Sequence, residues 1–348
     1  MVSLSGGIDS PPIAAYGTKP HLALSGRPLS ALSVVYPDQP SVDESGYVRA
    51  VADYLGMPLH TYERSAQPLS DLDTTVQVLD GPVPKIFVND AKEHYRKARE
   101  LGFRTMLTGE VAELVFDRRG YVVSHLLLRG RLRALGRNMR SQKQNGVSMT
   151  NLGCQIAASF VPKPAVVGYR KLRKPFGSAP VPDFLDLKRF KRRQAESVVA
   201  TRGRWRQEQL WGFIGPGLTM EADEIIQNLC GIRTRRPWAD VDLWEFFLSL
   251  PAEDKAPEHG RKKLVRKLLR GKVPDVILDR RHKTGYDESI LARVDYSALR
   301  RWLDDPSFMM PGVKYDLLRK HLIERDLDVD DYMWAKDLAA VCAFVETA

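Results

Sequence analysis

Apolar positions in this chain fall first into short runs and later into helical spacing. Ala31-Leu32-Ser33-Val34-Val35-Tyr36 is a short β-branched run stopped by Pro37-Asp38, the pattern of a strand in a parallel sheet. Leu59-His60-Thr61-Tyr62 and Arg104-Thr105-Met106-Leu107 read the same way, and Met1-Val2-Ser3-Leu4 reads as the end of another such strand. Helical patterns lie between them, opening at Ile13, running from Asp43-Glu44 to Leu55, and covering 91–101. Acids begin the second, and Gly56 and Gly102 close the second and third, as helix ends favour. Strand and helix in alternation predict right-handed crossovers in a parallel α/β sheet, whose ligands gather beyond the carboxyl ends of the strands. Residues 122–140 predict one helix with an apolar face of Val122, Leu126, Leu127 and Leu135. Everything from about Phe184 reads as helices, with 241–247 and the basic stretch 261–269 the clearest.

Composition adds limits. A chain of 348 residues can bury a substantial core, and 43% hydrophobic with 28% charged residues is ordinary for a soluble globular protein. No apolar run is long enough to cross a bilayer and no signal-peptide pattern opens the chain, so no membrane partner is expected. Cys154, Cys230 and Cys342 lie far apart without metal-ligand spacing, which fits a reducing cytoplasm and core positions. The net charge of +10 suggests an anionic partner, and ATP, an acidic peptide and nucleic acid all qualify. No Asp or Glu occurs between Gly120 and Pro182, whereas Arg129, Arg131, Arg133, Arg137, Arg140, Lys143, Arg170, Lys171, Arg173 and Lys174 make that span basic. A solvated helix face followed by a loop is the plainer reading, and a docking surface for an acidic peptide the functional one. Nucleic acid is disfavoured, because no recognised reading module accompanies the charge.

The candidate chemistry begins at Leu4-Ser5-Gly6-Gly7-Ile8-Asp9-Ser10, followed by Pro11 and Pro12. A glycine pair between a strand and a helix lets backbone N–H groups approach an anion, and the helix start faces the same space. The two prolines suit a first helical turn, whose N–H groups have no intrahelical acceptor. Ser5 and Ser10 add hydroxyls, and Asp9 offers a carboxylate to a phosphate-bound Mg²⁺. By pattern alone this is either a pyrophosphate cradle or a plain glycine turn.

Ser-Gly-Gly-Ile-Asp-Ser resembles the pyrophosphate loop of the ATP pyrophosphatases, which split ATP between the α and β phosphates. Thr108-Gly109-Glu110-Val111-Ala112-Glu113-Leu114-Val115-Phe116 is similar to the second loop of the asparagine synthetase family, which also includes β-lactam synthetase and the lasso peptide cyclases. Gly231 to Asp240 resembles its Arg-x-Pro-Phe-x-Asp segment, where Arg235 and Asp240 suggest a buried ion pair or a helix cap. Gly260 to Arg266 resembles its Lys-x-x-Leu-Arg helix, with Lys262 and Arg266 in place, although a solvated basic helix fits as well. Arg280-Arg281-His282-Lys283-Thr284-Gly285-Tyr286 resembles the element that carries the family's catalytic lysine.

The resemblance implies an α/β fold: a parallel twisted sheet of the ATP pyrophosphatase (adenine nucleotide alpha hydrolase-like) type, flanked by helices, with a largely helical C-terminal part. It implies one synthetase domain over 1–348, divided into a nucleotide-binding core at 1–120, a basic helix and irregular insertion at 121–205, and a helical part at 206–348. Leu4, Ser5, Gly6, Gly7, Asp9, Ser10, Val34, Thr108 and Gly109 would bind ATP, with the Val34 backbone meeting adenine. Asp9 and Glu113 would hold Mg²⁺, and Lys283 and Glu110 would be catalytic. Val111 stands where the family has glycine, Leu114 where it has glutamate, and Glu113 where it has aspartate, which adds a methylene to the metal site.

The expected activity is an AMP-forming ligase that adenylates a carboxylate and couples it to an amine, most in character with a lasso-type peptide macrolactam cyclase. Asparagine synthesis from aspartate and a degenerate module that binds nucleotide without turnover remain the alternatives. Family members normally carry an upstream glutaminase or glutaminase-like domain. Its absence, with only four residues before the loop, suggests either a truncated chain or a synthetase that works without that half. A glutaminase-like or leader-peptide-processing partner would then supply the missing function.

Overall fold

Val2–Ser3 (β1) forms the centre of a parallel sheet ordered β3-β2-β1-β4-β5 in the computed structural model. Residues 1–82, 88–113, 120–144, 148, 150, 153, 182–186, 217–251, 262–280, 284–305 and 309–347 are described. After β1 come Pro11–Ser25 (α1), Ala31–Val35 (β2), Ser45–Leu55 (α2), Leu59–Glu63 (β3), Leu72–Val78 (α3), Val88–Glu100 (α4) and Thr105–Leu107 (β4). Gly120–Leu128 (α5), Leu132–Gln144 (α6), Gly217–Leu229 (α7), Arg233–Arg235 (β5) and Val241–Ser249 (α8) follow. Lys263–Leu269 (α9), Asp275–Leu278 (α10), Asp287–Leu291 (α11), Tyr296–Leu303 (α12), Tyr315–Glu324 (α13) and Val329–Thr347 (α14) close the chain.

The two-residue period of a strand sorts its side chains between two cores. Val2, Leu4 and Ala31 face one side, where Ile13, Ala14, Val48, Val51, Val265, Leu269 and Ile277 cover them. Leu32 and Met106 face the other, under Tyr95, Ala98, Ile226, Leu299, Leu318 and the small residues Ala335, Ala339 and Ala343 of α14. Both faces are therefore buried, as a parallel sheet requires. The expected α/β class and the strands read at 31–36, 59–62 and 104–107 are all present.

Two expectations change. The span 122–140 is two helices, because Gly130 takes φ 63° and the turn of 129–131 bonds back to His125, Leu126 and Leu127. The stretch after Phe184 also holds a strand. β5 pairs with β4 from Thr105↔Arg233 to Leu107↔Arg235, and three residues are too few to show a period in sequence. Cys230 and Cys342 are buried, as core residues should be, while Cys154 lies outside the described residues. Among the described residues no helix is long and apolar enough to cross a membrane.

The strand order also fixes where a ligand belongs. From β1 the chain winds outward through β2 and β3, then returns to the other side of β1 for β4 and β5. The crevice at that reversal lies between the carboxyl ends of β1 and β4. The 5–10 loop leaves one of them and the 108–113 loop leaves the other.

Candidate functional site

The first loop is held at nearly every residue. Leu4 still donates its N–H to Leu32 at 2.9 Å, and its side chain is buried in the core, so only its backbone could meet a ligand. Ser10 Oγ accepts the Ser5 N–H at 2.9 Å and lies 3.2 Å from Ser5 Oγ, which closes the loop on itself. Pro11 and Pro12 open α1 directly behind it. Gly6 has no room for a side chain: a Cβ would lie 2.9 Å from the Cβ atoms of Glu44 and Tyr47. A Cβ on Gly7 would meet only Ser5 Oγ, at 3.5 Å.

Side chains from distant sequence secure this loop. Glu44, the residue that opens α2, accepts the Gly6 N–H at 2.9 Å through Oε2. Arg280 Nη1 donates to Glu44 Oε1 and to the Gly6 carbonyl, both at 2.7 Å, while Nη2 donates to Thr284 Oγ1. The same guanidinium lies over the Tyr47 ring, 4.4 Å from its centroid. On the other flank, the Trp238 indole donates to the Asp9 carbonyl at 2.8 Å, and the Trp244 indole donates to the Trp238 carbonyl at 2.7 Å.

The Asp9 carboxylate forms an ion pair with the ammonium of Lys262, whose side chain is only 5% exposed. Lys262 sits at φ 60°, in the left-handed region, immediately before α9. Such a conformation costs on the order of 1 kcal/mol for a residue with a Cβ. Arg266, one turn on, donates to the Arg280 carbonyl at 3.0 Å and also bonds the Leu278 carbonyl. The 262–266 stretch is thus built into the site, and the solvated-helix alternative does not hold for either residue.

The second loop meets the first backbone to backbone. Thr108 is buried and donates its N–H to the Arg235 carbonyl at 3.0 Å, extending the β4–β5 ladder. A Cβ on Gly109 would lie 2.8 Å from Ser10 N and 2.9 Å from the Asp9 carbonyl carbon. Only glycine permits that approach. Val111 adopts φ 72°, so the position where the family has glycine keeps a glycine-like backbone with a β-branched side chain on it. Val34, at the carboxyl end of β2, is half-buried and pairs with Tyr62.

Glu110 does not stand alone. Arg236, the first residue after β5, donates to Glu110 Oε2 and to Glu224 Oε1 at 2.7 Å each, and also to Asp223. Asp223 is buried and further accepts Tyr95 Oη at 2.9 Å and Gln227 Nε2 at 2.8 Å. Burial opposes the charge on Arg236, but Glu110, Glu224 and Asp223 together raise its pKa above the usual range. Glu110 keeps 44% of its side chain exposed beside this guanidinium. Glu113 lies exposed at the far end of the same loop. Asp240 caps α8 by accepting the Leu243 N–H at 3.1 Å, which was one of the two roles expected for it.

Lys283 lies outside the described residues, as do Leu114, Val115 and Phe116. Its described neighbours Arg280 and Thr284 are bonded to each other, and Arg280 is bonded to the first loop. For the metal, no group of three or more ligating side chains exists among the described residues. The one carboxylate in the first loop does hold a cation, the ammonium of Lys262, so the chemistry of that position suits positive charge. Sequence reasoning missed the roles of Glu44, Arg236 and Arg280. Glu44 read as a helix-start acid, Arg236 only as part of the segment similar to Arg-x-Pro-Phe-x-Asp and Arg280 only as part of the element around Lys283, and no local signal tells a buried arginine from a solvated one.

The model of one protein family, described as asparagine synthase, matches residues 1–341. No individual curated protein matches the chain.

Proposed function

The chain belongs to the asparagine synthase family and is an ATP-dependent amide-forming ligase of that type, and from this premise we propose how it works and on what. It releases AMP and pyrophosphate. A substrate carboxylate attacks the α-phosphorus of ATP, the bond to the β-phosphate oxygen breaks, and an acyl-adenylate forms. An amine then attacks the acyl carbon, loses its proton, and AMP leaves. The observation that supports this reading is the contact of Gly109 with the Asp9–Ser10 backbone, which makes the two loops one site at the reversal between β1 and β4.

Leu4, Ser5, Gly6, Gly7 and Ser10 surround the phosphates, Thr108 and Gly109 close over them, and the Val34 backbone meets adenine. Asp9 and Glu113 would hold Mg²⁺ on the phosphates, where it supplies charge neutralisation. Lys283 stabilises negative charge on the α-phosphate and then on the tetrahedral adduct. Glu110, held by Arg236, orients the incoming amine. The substrate is a peptide that carries both the carboxylate and the amine, so that the product is a lasso-type macrolactam. The exposed basic residues Arg129, Arg133, Arg140 and Lys143 of the α5–α6 pair favour an acidic peptide over free aspartate.

The test incubates the purified protein with MgATP and peptides bearing an N-terminal amine and an internal Asp or Glu. AMP, pyrophosphate and a dehydrated cyclic peptide are expected. Lys283→Met should abolish the product while ATP binding survives. ADP and phosphate as products, or full turnover by that variant, would overturn the mechanism. Turnover of aspartate with ammonia but of no peptide would overturn the substrate.

A further inference from the structure

We infer that Glu44 and Arg280 form a charge-compensated brace that sets the first loop for the triphosphate, Glu44 turning the Gly6 amide and Arg280 cancelling the carboxylate that does so. This rests on the ATP-dependent ligase reading of the site and goes beyond it, because neither residue has a part in the chemistry proposed above.

A loop of this kind binds anions through its backbone N–H groups. Here one of those donors, the Gly6 N–H, is already taken by a carboxylate that belongs to the protein. Its Glu44 side chain is 10% exposed, so water screens it little. An uncompensated carboxylate at that place would repel a triphosphate entering the same loop. Arg280, itself 13% exposed, removes the problem: its Nη1 bonds Glu44 and the Gly6 carbonyl together. The backbone unit of Gly6 is thus gripped on its N–H by the acid and on its C=O by the base. That fixes the peptide planes on either side of Gly6. The tight surroundings of Gly6, where a Cβ would meet Glu44, Tyr47 and Arg280 within 3.0 Å, show that the grip has no slack. The second nitrogen of Arg280 reaches Thr284, so the same guanidinium ties the loop to the residue that follows Lys283.

Equilibrium binding of ATP with Mg²⁺ to the full chain, followed by titration calorimetry, tests the brace without turnover. Arg280→Met should weaken ATP binding by at least about tenfold, since it leaves Glu44 charged and unpaired. Glu44→Gln keeps an acceptor for Gly6 and removes the charge, so by itself it should tighten ATP binding by a few-fold. The double variant should recover most of what Arg280→Met loses, and Arg280→Lys should lose less than Arg280→Met. In an ordinary structural ion pair both single variants lose their partner and the double variant still recovers, so Glu44→Gln would weaken ATP binding as Arg280→Met does, and that result would overturn the brace. Should Arg280→Met fail to fold, weakened ATP binding by Glu44→Gln overturns it and tightened binding supports it. Failure of the unaltered protein to bind ATP would instead sink the ligase reading, and the brace with it.

Discussion

The two loops that meet at Gly109 are built on opposite plans. The first is over-determined: Ser10, Glu44, Arg280, Lys262 and Trp238 each fix a different atom of it. The second puts a valine at φ 72° and leaves the Glu110 and Glu113 side chains exposed. The difference separates two tasks. Under the proposed mechanism the first loop would meet phosphates, which are the same in every ATP, so rigidity there would cost no versatility. The second would meet the carboxylate and the amine and have to suit one substrate, and strain and exposure collect in that loop.

The contrast can be broken most severely where the loops touch. Gly109→Ala would put a methyl within 3 Å of the backbone of Asp9 and Ser10, so the loops must part. Turnover should fall by about 100-fold or more, because catalysis is sensitive to misplacement by an ångström. Steady-state kinetics with MgATP would show it, and near-normal turnover would mean that the loops do not share one site.

Arg236→Met attacks the second loop alone. It leaves Asp223, 3% exposed, without its guanidinium and should cost roughly 3 kcal/mol in denaturant unfolding. A cost below about 1 kcal/mol would show that Tyr95 and Gln227 satisfy Asp223 by themselves.

Acidification probes the footing of the first loop. His94 is half-buried under β1, between Ser3 Oγ and Tyr62 Oη at 2.9 Å each. Burial, with a smaller push from Arg64, lowers its pKa from 6.5 to about 3. Above 6.5 the imidazole is neutral whether the chain is folded or not, and its contribution is complete. Between 6.5 and about 3 only the unfolded chain binds the proton, so stability falls with pH by up to about 1.4 kcal/mol per unit. Unfolding curves at pH 7.5 and pH 5 should show this loss, and His94→Gln should remove that part of it.

The smallest effect belongs to Val111→Gly. Release of the left-handed strain offsets the packing lost against Trp244 and Phe247, so stability should change by less than about 1 kcal/mol. A loss of 2 kcal/mol or more by thermal unfolding would show that the valine is held there by packing rather than tolerated.

Local sequence determined a good deal of this protein. A β-branched run ended by Pro37 marks a strand, Gly56 and Gly102 close helical patterns, and Gly6-Gly7 with prolines behind them mark a tight strand-to-helix turn, all through short-range sterics. The split at Gly130 was legible in principle, since glycine ends helices, but an unbroken apolar face across it pointed to one helix. What tertiary structure alone decided is which charges are paired. Glu44, Lys262, Arg236 and Arg280 lie tens to hundreds of residues from the groups they bond. Ionic interactions act through space at distances that only the packed sheet creates, and a charged side chain bound for the interior has the same local sequence as one bound for water.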